Sequence, residues 1–122
     1  MIRQITRDEL MSMCRSGEKF ILVDVLSSDS YEKEHIAGAI SIALADLEKK
    51  AESLLKKDDN IVVYCASFEC SASTKAAEKL TAMGYKNVLD YKGGLKDYKE
   101  AGLALEGSLH IYRGCGSCCA CR

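Results

Sequence analysis

The sequence contains no proline and no tryptophan, and only two phenylalanines and two histidines. Long hydrophobic runs are missing too: apolar stretches last a few residues, far short of the roughly 20 that cross a bilayer. Met1 to Asp8 carries charge but no apolar segment, so a secretory signal is not expected and a cytoplasmic location is. There is also no excess of charge of one sign. Seventeen Lys and Arg against eighteen Asp and Glu leave a net charge of −1, so no overall field draws the chain to nucleic acid or membrane. The lysines between Lys49 and Lys57 alternate with Glu48, Glu52 and Asp58, the pattern of a solvated helix face. With 48% hydrophobic and 29% charged residues, a disordered or collagen-like chain is excluded. The 122 residues suffice for one domain with its own core.

What is present in quantity is cysteine, seven in all. The number is odd and the distribution lopsided. Cys14, Cys65 and Cys70 lie in the body, whereas Cys115, Cys118, Cys119 and Cys121 crowd the end. A secreted disulfide scaffold spreads its cysteines to staple loops, so this arrangement points to thiol chemistry or metal binding in a reducing compartment. Cys14 falls on an apolar stripe with Leu10 and Met13 and reads as a small buried hydrophobe.

Local patterns predict alternating strands and helices. Thr6 and Glu9 form a capping box opening a helix from Arg7 to Arg15, which Gly17 ends. Lys19 to Val25 is a compact, β-branched run and reads as a buried strand. Ser28 to His35 reads as one irregular helical turn, and Gly38 to Ile42 as a short strand. Leu44, Leu47, Ala51 and Leu54 make an amphipathic helical stripe. Ile61 to Tyr64 is another buried strand. From Ser71, Ala72, Ala76, Leu80 and Met83 recur at helical spacing, with Gly84 as the helix stop. Asn87 to Tyr91 is a last strand, Gly93-Gly94 a turn, and Leu95 to Ala101 a short helix. The expected architecture is α/β, a mainly parallel sheet of about five strands with helices on both faces. Periodicity stops after Gly107, which predicts a domain over 1–107 and a tail over 108–122.

In such a sheet, sites form outside the carboxyl ends of the strands. Cys65 occupies one, and Ala66, Ser67, Phe68, Glu69 and Cys70 link it to the helix starting near Ser71. A tight loop closing onto a helix amino terminus can aim several N–H groups at one point. The expectation is an exposed Cys65 whose pKa is lowered, held as thiolate.

At this loop the sequence resembles the single-domain rhodaneses, sulfurtransferases that carry sulfur as a persulfide on a loop cysteine. The resemblance runs from about Ile5 to Glu106. It rests on Leu22-Val23-Asp24-Val25, on His35-Ile36-Ala37-Gly38-Ala39-Ile40, on Val62-Val63-Tyr64-Cys65 and on Gly93-Gly94-Leu95. It implies a rhodanese-like fold and Cys65 as the catalytic residue. His35 is then structural and Asp24 a fixer of neighbouring loops. Ser67 is a candidate hydroxyl donor to bound sulfur, and Phe68 either loop packing or a docking surface. Three positions depart from the family pattern. Phe68 stands where a glycine is usual, which predicts a strained or reshaped loop. Cys70 and Leu26 stand where arginines are usual, and Glu69 adds a negative charge. These changes predict poor binding of thiosulfate, with polysulfide or a persulfide as donor and a thiol, on a small molecule or a protein, as acceptor. Phosphoryl transfer is excluded, because no arginine follows Cys65 until Arg113. Cys70 is also a candidate resolving thiol for Cys65.

The tail supplies a second reading. Cys115, Cys118, Cys119 and Cys121 combine a C-x-x-C with an adjacent pair, a spacing that suits zinc or another thiophilic metal, or a redox switch. His110 is a further candidate ligand. On this reading the domain is a scaffold for a metal-binding or redox-responsive module that uses Cys70 and the tail. On the first reading, sulfur transfer needs no cofactor.

Overall fold

The computed structural model describes residues 3–103 and 105–107. The chain begins with strand β1 (Arg3–Ile5) and helix α1 (Arg7–Arg15), then β2 (Ile21–Asp24), α2 (Ser28–Lys33), β3 (His35–Ile36) and β4 (Ile40–Ser41). A 3-10 turn over Leu44–Asp46 leads into α3 (Leu47–Leu54), followed by β5 (Asn60–Tyr64), α4 (Ala72–Ala82), β6 (Asn87–Tyr91), α5 (Gly94–Glu100) and β7 (Leu105–Glu106).

The capping box forms as the sequence predicts. Thr6 accepts from the Glu9 N–H at 3.2 Å while the Glu9 carboxylate accepts from the Thr6 N–H at 3.1 Å. Such a cap contributes about 1 kcal/mol to helix α1.

Five strands form one sheet in the order β1-β6-β5-β2-β4, and every pairing in it is parallel. Side chains of the central strand alternate between two cores, as a period of two requires. Ile61, Val63 and Cys65 face a core built with Leu47, Ala51, Ala76, Ala77 and Leu80 of α3 and α4. Val62 and Tyr64 face the other, with Leu10 of α1 and Tyr98 of α5. Helices therefore cover both faces. Full burial of each such aliphatic side chain contributes roughly 1.5–3 kcal/mol.

Two details differ from the sequence reading. Leu54, counted in the α3 stripe, is 51% exposed, and Leu55 is buried in its place. The helix ends at Leu54, and extended backbone at Leu55 turns the next side chain inward. The segment predicted as one irregular turn up to His35 is a regular helix only to Lys33; His35 and Ile36 then form β3, which pairs antiparallel with β7 in a separate two-stranded sheet.

The strand order reverses at β5. From β2 the chain crosses to β4 on one side, and from β5 to β6 on the other. Loops leaving the carboxyl ends of β2 and β5 therefore diverge and open a crevice between them. Asp24 and Tyr64, paired in register, mark that end of the sheet. Cys65 is the next residue.

Candidate active site

The loop after β5 is anchored on both sides. Its start is held by α5: the Leu95 N–H donates to the Cys65 carbonyl at 2.9 Å, and the Lys96 N–H to the Ala66 carbonyl at 2.8 Å. That approach depends on Gly94, which has φ +64° and sits where any Cβ would overlap the Cys65 carbonyl. Beneath the loop, buried Asp24 accepts from the Leu26 N–H at 2.8 Å and from Tyr64 Oη at 2.9 Å. Tyr64 Oη in turn accepts from the Ile36 N–H at 3.0 Å. Asp24 thus ties the loop after β2 to the end of β5 and, through Tyr64, to β3. Burial pushes its carboxyl above the ordinary carboxylate range, against the opposing hydrogen bonds from Leu26 and Tyr64. His35 is structural as expected: its ring stacks on Tyr31 at 3.7 Å and Nδ1 lies 2.6 Å from the Tyr31 carbonyl.

Within the loop, the Cys70 N–H donates to the Ser67 carbonyl at 3.1 Å, closing a turn across Phe68 and Glu69. Among the described residues no non-glycine has a positive φ. Phe68 therefore sits in the loop without left-handed strain. Its ring is 65% exposed, which leaves loop packing without support. It overhangs a small cleft of about 140 Å³ shared with Ser67, Glu69, Gly93, Lys96, Asp97 and Glu100. A larger cavity, about 580 Å³, lies at the opposite end of the sheet beside Asn60 and Asn87 and includes neither loop cysteine. Leu26 and Cys70, at the two positions where arginine is usual, both pack against the core facing α3 and α4. Ser71 precedes α4 without capping it through its side chain.

The sulfurs correct the sequence reading. Cys65 is fully buried, not exposed. Its Sγ lies 3.3 Å from the Cys70 carbonyl, 3.8 Å from the Ser67 carbonyl and 3.5 Å from Ser73 Oγ. Burial, reinforced by the adjacent Cys70 thiol, raises its pKa above the ordinary thiol value, although Ser73 pulls the other way. The thiol with the lowered pKa is Cys70. Burial opposes its ionisation but is outweighed by the Cys65 thiol, the N–H groups of Ala72 and Ala66, and the charge of Lys92. The helix terminus thus favours charge at this loop, as argued from sequence, but on Cys70.

Lys92 is the residue that sequence reasoning missed. It follows β6 directly, and its Nζ donates to the Cys70 carbonyl at 2.7 Å and to Thr74 Oγ1 at 3.1 Å. Thr74 Oγ1 donates to buried Asp90 at 2.9 Å. A cation is therefore present at the loop although none lies within it. The signal available was its position, one residue past a strand end and next to Gly93-Gly94.

A family profile for the Rhodanese-like domain matches residues 6–101. The chain belongs to the rhodanese-like sulfurtransferase family. The thiosulfate sulfurtransferase GlpE of Coxiella burnetii is 31% identical over 99 residues, spanning 81% of this chain and 89% of that protein. The thiosulfate sulfurtransferase PspE of Escherichia coli is 38% identical over 76 residues, spanning 62% of this chain and 70% of that protein. Among solved structures, the rhodanese-like domain of the Alr3790 protein from Anabaena sp. superimposes with a TM-score of 0.81 at 32% identity, covering 96% of this chain and 88% of that one. The rhodanese fold expected from the loop is therefore the fold observed. Among the described residues no helix is long and apolar enough to cross a membrane. Cys115, Cys118, Cys119, Cys121 and His110, with the metal and redox expectations attached to them, lie outside the described residues, as does the predicted tail over 108–122.

Proposed function

We propose that this rhodanese carries sulfane sulfur as a persulfide on Cys65. The thiolate of Cys65 attacks the outer sulfur of a polysulfide or low-molecular-weight persulfide, the S–S bond of the donor breaks, and the remainder leaves as a thiolate or shorter polysulfide. An acceptor thiol then takes the outer sulfur and regenerates Cys65; the acceptor is a small thiol or a protein cysteine reaching the mouth beside Phe68. Such an exchange between thiols and sulfane sulfur calls for no cofactor.

The observation that carries this reading is the place of Cys65 at the carboxyl end of β5, beside the point where the strand order reverses, with its Sγ enclosed by the Ser67 and Cys70 carbonyls and Ser73 Oγ in the first turn of α4. Relatives of the chain bear the names thiosulfate sulfurtransferase and, in Bacillus subtilis, putative sulfur carrier protein, which supports a sulfur donor and acceptor as the substrate class. Cys65 and Cys70 are both free thiols, as attack on a sulfane sulfur requires. Brief incubation with polysulfide, immediate quenching in excess alkylating reagent and peptide mass spectrometry test the proposal: one added sulfur on the Cys65 peptide at the earliest times, absent in Cys65→Ser, is expected. Full transfer activity in Cys65→Ser would overturn it.

A further inference from the structure

A second thiol stands in the same loop, and its surroundings are those of a nucleophile. The turn closed by the Cys70 N–H on the Ser67 carbonyl brings the Cys70 carbonyl to 3.3 Å from Cys65 Sγ, so the two cysteines are neighbours in the folded loop. The backbone N–H groups of Ala72 and Ala66, at the two ends of the loop, favour the ionised form of the Cys70 thiol. Lys92 is fixed beside it by the Cys70 carbonyl and Thr74, and Thr74 is fixed by Asp90. Donors and cation alike favour negative charge on this sulfur. Cys70 is only partly buried, so its proton can leave to solvent.

We propose that Cys65 and Cys70 form a dithiol centre that discharges a Cys65 persulfide from within the loop, giving the protein a thiol-dependent, sulfide-releasing activity on polysulfides and persulfides. The inference rests on the persulfide reading above. The Cys70 thiolate attacks Sγ of Cys65; an Sγ–Sγ bond forms, the bond from Cys65 Sγ to the outer sulfur breaks, and the outer sulfur leaves as hydrosulfide. The sulfane sulfur gains two electrons and the two cysteines lose them. A reducing thiol, mono- or dithiol, then opens the Cys65–Cys70 disulfide by exchange and is itself oxidised to a disulfide. Lys92 is a positioning residue: it holds Cys70 in place and keeps it ionised without touching the departing sulfur.

The test loads wild type, Cys70→Ser and Cys70→Ala with polysulfide, removes the donor, and follows free sulfide and the peptide map without any acceptor thiol. Wild type is expected to release about one equivalent of sulfide while a Cys65–Cys70 disulfide appears; both variants should keep the Cys65 persulfide, releasing sulfide at least about tenfold more slowly. In Lys92→Met the release rate of the wild-type loop should shift its pH dependence upward, and Lys92→Arg should restore it. A stable wild-type persulfide overturns the dithiol proposal alone. So does sulfide release that leaves Cys70 free, or a persulfide that moves to Cys70 with no disulfide formed. Absence of any persulfide on Cys65 in all three proteins removes the persulfide reading and this inference with it.

Discussion

Gly94 lies against the carbonyl of Cys65, at φ +64°, in a place with no room for a Cβ atom. This contact lets the first N–H groups of α5 grip the loop through Cys65 and Ala66. Gly94→Ala must strain the backbone or push the loop away from α5. We expect a stability loss of about 1–3 kcal/mol, seen in denaturant midpoints, and a larger proportional loss of persulfide formation on Cys65. Wild-type loading in Gly94→Ala would show that the α5 contact does not set the loop.

The Tyr64–Asp24 hydrogen bond predicts a second effect. Tyr64→Phe leaves one Asp24 oxygen and the Ile36 N–H without their partner inside the core, at a cost of about 1–3 kcal/mol. Asp24 also makes stability depend on pH. Burial raises its folded-state pKa above 3.8, so the folded chain binds the proton more tightly than the unfolded chain. The stabilisation from that proton is fully present below the unfolded value and is lost as pH rises through the folded one. Asp24→Asn, which cannot ionise and keeps an acceptor for the Leu26 N–H although its amide must reverse the hydrogen bond to Tyr64, should flatten this fall. Parallel stability–pH curves for Asp24→Asn and wild type would refute the assignment.

The two loop thiols should titrate as a pair, with the first proton lost from Cys70 and the second from Cys65. Peptide-resolved alkylation at rising pH should label Cys70 first, and Cys65 only above the ordinary thiol range. Removing Cys70 takes away a neighbouring negative charge, so Cys65 in Cys70→Ser should react at lower pH than in wild type. Faster labelling of Cys65 in the native protein would contradict this order.

Donor choice follows from the charges at the mouth. Lys92 is engaged by Cys70 and Thr74, and exposed Glu69 lies beside the cleft under Phe68. Polysulfide and small persulfides should therefore outperform thiosulfate, a dianion. Glu69→Gln should improve thiosulfate turnover by about two- to tenfold, a modest change because solvent screens the charge. Cys70→Arg should improve it as well. Thiosulfate as the best donor of a tested series would defeat the argument.

Which parts of this structure could be read from sequence follows from the range of the forces involved. The Thr6–Glu9 cap, the β-branched run ending at Tyr64 and the turn at Gly93-Gly94 are local, and each is visible within a few residues. The β3–β7 pairing joins two-residue strands almost seventy positions apart, with no periodicity to announce it. Leu54 and Leu55 are indistinguishable by spacing, since either continues the stripe from Ala51; where the helix stops decides between them. At the site, the position of Cys65 was legible because a strand end and a helix start frame it. The protonation order was not. It depends on which sulfur the turn at Ser67 buries and on Lys92, which reaches the loop from a different strand.

Peptide-resolved mass spectrometry of the native protein, after polysulfide loading and quenching in excess alkylating reagent, tests the central claim most directly. The account predicts one additional sulfur on Cys65, none on Cys14, and no loading in Cys65→Ser. Sulfur distributed equally among the cysteines, or retained in full by Cys65→Ser, would contradict it.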